Sequence, residues 1–248
     1  TAANADNYLK NEIQTVTGRN GNQTRVLYQS YVQNDATFAS GGAGNVQNSF
    51  IVLPATEGGD LYISFWTKNQ PDLAQRMVNS KWFPISEFKA NNSGTWRMGI
   101  GLSNYGGGPA HYASVDSYNN GPLAPRTFWT MTPNANGLGL YIPTPNLCVP
   151  PYYNTSIPPN VKSGPVIPIP MDWFRTEVFW HRDKYNGRYW ASIDGKLLVD
   201  YHGDTMGDGF PINRIFPWMM YTNMTGKSFK YIDDVEFWDG FPAHASPH

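Results

Sequence analysis

The sequence is poor in cysteine and in charged residues. Its 248 residues include one cysteine, Cys148, so neither an intrachain disulfide nor a zinc site built on several cysteines can form. Lys and Arg number 18 against 19 Asp and Glu, without a basic block. Nucleic acids and anionic membranes attract clustered positive charge. We therefore expect neither as a partner.

Long apolar runs and long helices are missing as well. No stretch approaches the roughly 20 apolar residues that cross a bilayer as a helix. Helix signals occur at 71–78, where Pro71 suits a first turn, and they predict two turns at most. The histidines show no H-E-x-x-H or H-x-H spacing, which argues against a transition-metal enzyme. We expect no required cofactor, although a structural Ca²⁺ would need only carboxylate and carbonyl oxygens.

Short β-branched and aromatic runs make up much of the remainder, separated by Gly, Pro, Asn and Asp. They predict about a dozen strands, at 25–32, 50–53, 61–67, 82–88, 96–102, 127–131, 138–142, 173–182, 189–193, 197–201, 215–221 and 229–238. Many short strands with turn residues between them are typical of an antiparallel sandwich. The expected fold is therefore all-β, with one domain over 1–248 and short tails at both ends.

Two dipeptides predict tight hairpins. Asn186-Gly187 and Asp194-Gly195 favour type I′ turns, which would join 173–201 into a three-stranded meander. By contrast, 103–126 and 143–170 are rich in Gly, Asn and Pro and are interpreted as long irregular loops. Such loops would either rim a sugar-binding groove or merely cover sheet edges.

Two motifs near the end of the chain carry a family resemblance. The segments WASIDGKLL at 190–198 and YIDDVEFW at 231–238 resemble the ending of concanavalin A-like, laminin-G-like jelly rolls. With the Trp-led strand at 82–89 and the segment 172–181, the chain is similar to jelly-roll polysaccharide lyases of the heparin lyase I and glucuronan lyase type. The resemblance covers 61–238. It implies a jelly roll and the cleavage of a polysaccharide by β-elimination, although fold is inherited more reliably than activity.

The chain departs from these families at polar positions. Similar lyases carry Gln-x-His where this chain has Glu87-Phe88-Lys89. Hydrolases of the laminarinase kind carry an E-x-D-x-x-E strand, which 233–236 matches only superficially and in a different place. We interpret 233–236 as structural, tying the chain end to its neighbours or binding a cation. His244 and His248 are assigned to a mobile tail.

Three residues on one predicted strand are candidate site residues. Glu177, Phe179 and His181 alternate with Val178 and Trp180 and would share the solvent-accessible face of the sheet. Phe179 could then stack on a sugar ring, while the flanking polar groups hold hydroxyls or move protons. The structural alternative is a half-exposed hairpin in which Glu177 pairs with a neighbouring arginine.

β-Elimination on a uronic acid needs a base, an acid and a group that neutralises the carboxylate. His and Tyr suit the proton transfers, which makes His181 and Tyr189 on neighbouring hairpin strands the first candidates. His111 and Tyr112, in the Gly-rich region, are candidate substrate-binding residues. Arg97 could neutralise the carboxylate. Whether His181 and Tyr189 share a face depends on one residue of register.

Two other functions remain open at this point. Glycoside hydrolysis would use Glu87 and Glu177, expected in one sheet, at about 5–5.5 Å for retention or roughly 6.5–9.5 Å for inversion. A non-catalytic lectin or carbohydrate-binding module would need only exposed aromatic residues, and the chain has 9 Trp and 15 Tyr. In every case we expect a secreted or periplasmic monomer whose partner is a polysaccharide or oligosaccharide.

Overall fold

The computed structural model describes residues 9–32, 51–52, 59–77, 81–90, 97–104, 109–116, 128–130, 140–141, 161–163, 167–206, 212–219 and 227–248. The strands within these residues are β1 (Leu9–Thr17), β2 (Gln23–Val32), β3 (Ile51–Val52), β4 (Asp60–Asn69), β5 (Lys81–Ala90), β6 (Arg97–Asn104), β7 (Pro109–Asp116), β8 (Phe128–Thr130), β9 (Leu140–Tyr141), β10 (Val161–Ser163), β11 (Phe174–His181), β12 (Gly187–Ile193), β13 (Lys196–Gly203), β14 (Ile212–Phe216) and β15 (Lys227–Trp238). A single helical turn, α1 (Leu73–Arg76), lies where the sequence predicts a short helix.

The strands form two sheets. One has eight strands in the order β1-β2-β15-β4-β11-β12-β13-β10, and the other has seven in the order β3-β14-β5-β6-β7-β8-β9. Neighbouring strands run antiparallel in both sheets. The prediction of an all-β antiparallel sandwich of the jelly-roll type is confirmed.

The main core lies between the two sheets. Phe88 of β5 meets Trp180 of β11 and Tyr189 of β12, with ring centroids 5.2 and 5.9 Å apart. Full burial of large side chains of this kind stabilises the fold by about 2–3 kcal/mol each. Side chains that point inward alternate with side chains that point outward on strands such as β6 and β11, so each sheet also has an outer face.

The segment 173–201 forms the predicted meander of β11, β12 and β13. Its second turn is as expected. Asp194 and Gly195 have φ of 50° and 73°, and positive φ at both central residues is what a type I′ turn requires.

The first turn of the meander differs from the prediction. Asn186-Gly187 does not form a two-residue type I′ turn, because β11 ends at His181 and Gly187 already belongs to β12. The Asp183 carboxylate instead accepts hydrogen bonds from the N–H groups of Tyr185 and Asn186, at 2.6 and 2.7 Å. The turn is therefore held by hydrogen bonds to the Asp183 side chain, and it does not depend on a left-handed backbone conformation at Asn186 and Gly187.

The interpretation of 103–126 as irregular is wrong for its central part. There β7 runs from Pro109 to Asp116 and pairs with β6 over its whole length. Its alanines and serine are weak strand formers, so the strand depends on pairing with β6 rather than on its own composition. Most of 143–170 lies outside the described residues.

Candidate functional site

Glu177, Phe179 and His181 lie on the outer face of the eight-stranded sheet. Val178 and Trp180 belong to the main core, so the predicted alternation along β11 is confirmed. Much of this face is nevertheless covered by the C-terminal residues 239–248. The expectation of a mobile tail is therefore wrong for residues such as His244, whose Nε2 lies 2.7 Å from Glu236 Oε2.

Glu177 is fully buried, and its carboxylate has several partners. It accepts hydrogen bonds from the Tyr62 hydroxyl (2.6 Å), the Ser192 hydroxyl (2.8 Å), and both the N–H (3.0 Å) and the hydroxyl of Ser246. Arg175 Nη1 lies 3.7 Å away. Burial raises the pKa of this carboxyl, but the hydrogen bonds outweigh it and the pKa falls below its ordinary value. Glu177 is thus an ionised anchor for the chain end.

Phe179 stacks on another side chain of the protein. Its ring centroid is 4.1 Å from that of Phe241, with 22° between the ring planes. Tyr62 and Trp190 complete a small aromatic cluster that is separate from the main core. The ring predicted to stack on a sugar is therefore occupied by the C-terminal residues.

His181 and Tyr189 do not converge, which corrects the sequence-based pairing. The register of β11 and β12 pairs His181 with Arg188 and Tyr189 with Trp180, so the two candidates lie on opposite faces of the sheet. Tyr189 points into the core, where burial raises the pKa of its hydroxyl. His181 is half-buried on the outer face, and its Nδ1 lies 2.6 Å from Asp60 Oδ1.

Glu87 and Glu177 do not form a pair either. Glu87 lies on β5 of the seven-stranded sheet, so the expectation that both belong to one sheet is wrong. Each points away from the core, since Phe88 and Val178 beside them point into it. Packed sheets are about 10 Å apart, so carboxyls on opposite outer faces exceed the separation that hydrolysis needs.

His111 belongs to the core side of β7. It pairs with the core residue Leu102, and its Nδ1 lies 3.2 Å from the carbonyl oxygen of Ile167. Its ring packs edge-on against Phe174, with centroids 5.5 Å apart. Burial lowers the pKa of His111 to about 4, so the ring is neutral at physiological pH. The adjacent residue, Tyr112, necessarily points to the outer face.

Two glycines lie on the outer face of the seven-stranded sheet. On β6, Met98, Ile100 and Leu102 point into the core, which leaves Gly99 and Gly101 on the other side. Glycine weakens a strand interior and often marks a place where a ligand approaches the backbone. The alternation M-G-I-G-L in the sequence would have revealed that the two glycines share one face.

Glu87 and Tyr112 flank these glycines. Glu87 of β5 is directly opposite Gly99, and Tyr112 of β7 is directly opposite Gly101. Strands two places apart are separated by about 10 Å, so the side chains of Glu87 and Tyr112 lie on either side of β6. We call the surface formed by Glu87, Gly99, Gly101 and Tyr112 the β6 trough.

The β6 trough is buried, and this includes the backbone of Gly99 and Gly101. Glu87 and Tyr112 are each 4% exposed, yet neither belongs to the main core cluster. Phe216 of β14, in register with Glu87 and buried, extends this face on one side. Ionisable and hydroxyl groups buried outside the core are typical of binding and catalytic sites.

Basic residues occupy neighbouring register positions on β14, β5 and β6. The register places Arg214 of β14 opposite Lys89 of β5, and Lys89 opposite Arg97 of β6. Asp116 of β7 follows as the next residue across the sheet. Three of these four register positions are basic and one is acidic. Arg97, predicted from the sequence, is one of the basic positions, whereas Arg214 was missed.

Metal and membrane signals are sparse in the described part of the chain. No group of three or more His, Cys, Asp or Glu side chains in it could hold a metal ion. Among the same residues, no helix has the length and apolar character needed to cross a membrane.

Comparisons with known proteins identify no family. No family profile matches the chain, and no curated protein matches it. Similar solved structures include the binding domain of botulinum neurotoxin DC in complex with SialylT, with 12% identity and a TM-score of 0.37. The match covers 93% of this chain, which spans only 42% of that one.

Two further solved structures are similar at the same level. Domain 4 of AbnA, a GH43 extracellular arabinanase from Geobacillus stearothermophilus in complex with arabinotriose, has 14% identity and a TM-score of 0.32, over 89% of this chain and 74% of that one. The alginate lyase from Klebsiella pneumoniae has 9% identity and a TM-score of 0.35, over 94% and 84%. Similarities this weak carry no argument about fold or function, so both are argued from the residues of this chain.

Proposed function

We propose that this protein is a polysaccharide lyase that cleaves an acidic polysaccharide by β-elimination in the β6 trough. The observation that carries the proposal is the placement of Glu87 and Tyr112 on either side of Gly99 and Gly101. Glu87 and Tyr112 lie on the two strands that border β6, offset by two residues along it, and a sugar ring would bind over the glycines between them. The row of basic positions at 214, 89 and 97 supports a negatively charged substrate.

The three roles of β-elimination are assigned as follows. Arg214 and Arg97 neutralise the uronate carboxylate, which makes the C5 proton more acidic. Glu87 removes that proton as the base. The C4–O4 bond then breaks as a C4=C5 double bond forms, and Tyr112 donates its proton to the departing oxygen. The positive arginines stabilise the charge that develops on the carboxylate in the transition state.

Hydrolysis and lectin binding are the alternatives. The hydrolytic pair Glu87 and Glu177 loses support because the main core separates the two carboxyls. A lectin would bind in the same trough but leave the chain of sugars intact. The protein would act where its polymer is found, outside the cell or in a periplasm.

The test is absorbance near 235 nm during incubation with polymannuronate, polyguluronate, polygalacturonate, polyglucuronate and a neutral glucan, with reducing ends assayed in parallel. We expect absorbance to rise with one or more polyuronides and not with the glucan, since only elimination makes the conjugated unsaturated uronate. Reducing ends without absorbance would contradict the proposal in favour of hydrolysis. Binding without either signal would favour a lectin.

Tyr112→Phe connects the activity to the β6 trough. Loss of the proton donor is expected to lower kcat by about 10²–10⁴-fold with little change in KM. Tyr185→Phe is the matched control, because Tyr185 is exposed in the β11–β12 turn and far from the trough. Equal activity of Tyr112→Phe and Tyr185→Phe would remove the catalytic role of Tyr112.

A further inference from the structure

The outer face of the eight-stranded sheet is covered by residues 239–248, here called the strap. The strap follows directly after β15, and Gly240 has a φ of +93°, which favours glycine. Within the strap, the N–H of Ala245 bonds to the carbonyl of Pro242 at 3.0 Å, forming one turn. The strap pairs with no strand, so side-chain contacts and a few polar contacts hold it to the sheet.

The first of these contacts is a ring in an aromatic cage. Phe241 lies parallel to Phe179 at 4.1 Å and meets Trp190 edge-on at 5.3 Å and Tyr62 at 5.9 Å. The Arg188 guanidinium lies 5.6 Å from the same ring. The cage is formed by side chains of β4, β11 and β12, and the strap supplies Phe241 together with His248, whose ring stacks on Phe241 at 3.7 Å and meets Trp190 edge-on at 6.2 Å.

The second contact is polar. Ser246 donates both its N–H and its hydroxyl to the carboxylate of Glu177. Nearby, Arg175 Nη1 donates to the carbonyl of His244 at 3.3 Å. The Ser192 hydroxyl shares the Glu177 carboxylate with the strap. A flat apolar ring and a hydroxyl donor are thus among the groups by which the strap holds this face.

A pyranose offers the same two kinds of group. Its C–H face stacks on aromatic rings, and its hydroxyls donate to carboxylates and accept from guanidinium groups. At the rim of the cage, Arg188 binds Asp200 through two hydrogen bonds of 2.8 and 3.1 Å, which fixes another donor–acceptor pair. Rings, carboxylate and paired guanidinium on one face form a set suited to a neutral sugar.

We propose that this face is a second carbohydrate-binding surface and that the strap is a detachable cover occupying it in place of a sugar. The surface consists of Tyr62, Phe179, Trp190, Glu177 and Arg188. It lies across the core from the β6 trough and binds a sugar only when the strap is released. The apparent affinity is then the intrinsic affinity reduced by the fraction of open molecules.

The test compares the unsubstituted protein with Phe241→Ala by affinity gel electrophoresis in soluble starch, a mixed-linkage β-glucan and a galactomannan. These probes carry no carboxylates, so lyase activity is not needed for the readout. Phe241→Ala is expected to bind one of the probes at least tenfold more tightly than the natural chain. Hydrogen exchange at the Ser246 amide, measured by mass spectrometry, should accelerate in parallel as the strap opens.

Two further variants make the result specific. Phe179→Leu in the Phe241→Ala background keeps the apolar volume but removes the stacking ring, and it should abolish the gained binding. Phe237→Ala is the matched control, because Phe237 is 45% exposed on β15 and lies outside the strap. It should bind like the natural chain. Gained binding that survives Phe179→Leu would place the sugar elsewhere and overturn the proposal.

Three other results would also contradict a detachable cover. One is unchanged affinity in Phe241→Ala together with faster exchange at Ser246, since the face would then be open and still bind nothing. Another is cooperative loss of the β-sheet circular dichroism signal in Phe241→Ala, because a cover cannot be required for folding. The milder Ser246→Ala should shift affinity in the same direction by a smaller factor, and an opposite shift would argue against the cover.

Discussion

The two outer faces of the sandwich carry similar residue types arranged in different ways. On the eight-stranded sheet, the Glu177 carboxylate is held by Tyr62, Ser192 and Ser246 within the protein itself. On the seven-stranded sheet, Glu87 and Tyr112 lie across two glycines from each other. The carboxylate of Glu177 ties the C-terminal residues to the sheet and supports the structure, whereas we propose that the carboxylate of Glu87 serves a ligand. The residue type alone does not distinguish the two.

The sharpest contrast is between the two glutamates. Glu87→Gln keeps the shape of the side chain but removes the proposed base, and we expect the elimination rate to fall by about 10²–10⁴-fold. The free energy of unfolding should change by less than about 1 kcal/mol, as for an isosteric replacement without a cavity. Absorbance at 235 nm and urea unfolding check the two parts. A large loss of stability with normal activity would reverse the roles of the faces.

Glu177→Ala should show the opposite behaviour. Removing this buried carboxylate takes away the hydrogen-bond acceptor of the Tyr62 and Ser192 hydroxyls and the ion-pair partner of Arg175. The free energy of unfolding should therefore fall by about 4 kcal/mol. Elimination per folded molecule should stay the same, because the β6 trough lies on the other side of the core. Urea unfolding gives the first value and the 235 nm assay gives the second. Loss of activity in a fully folded variant would bring Glu177 back as a functional residue.

His111, on the core side of β7, makes the stability of the protein depend on pH. Burial lowers the pKa of His111 to about 4 from an ordinary 6.5, so the unfolded chain binds more protons between these values. The stability due to neutral His111 is complete above pH 6.5 and should fall by about 3 kcal/mol as the pH drops to 4. His111→Gln should lack this part of the decline. Parallel slopes for both proteins in urea unfolding at several pH values would contradict the burial of His111.

The smallest effect concerns a single hydroxyl on the covered face. Ser192→Ala removes the 2.8 Å hydrogen bond to Glu177 and should cost about 1 kcal/mol, since the carboxylate keeps its other donors. Thermal unfolding will detect a loss of this size. A cost above about 3 kcal/mol would mean that the partners of Glu177 act as one inseparable network.

Local sequence patterns predict a good part of this fold. Alternation along 174–181 places Val178 and Trp180 in the core, and Asp194-Gly195 predicts its turn correctly, because both depend on residues close in the chain. The strand β7 escapes prediction because its small residues form a strand only beside β6. The turn before Gly187 is not predicted either, because hydrogen bonds to the Asp183 side chain hold it, rather than the backbone conformation of Asn186.

The candidate site was less predictable than the fold. Glu87 and Tyr112 could be named from the sequence, but their meeting over Gly99 and Gly101 depends on which strands become neighbours. That choice is made by long-range pairing, which also sends Glu87 and Glu177 to different sheets. The strap was missed for the same reason, since Phe241 finds Phe179 only after the sheet has formed.

The central claim is that the β6 trough is the place where the sugar binds. Gly101→Val tests it most directly, by urea unfolding together with polyuronide binding and cleavage. We predict that binding and cleavage fall at least tenfold in a protein that stays folded, because the valine side chain would occupy the surface on which the sugar lies. A loss of more than about 2 kcal/mol of stability would show that the trough is filled by the chain itself, as in overpacked cores. Normal binding in a stable Gly101→Val protein would place the substrate elsewhere.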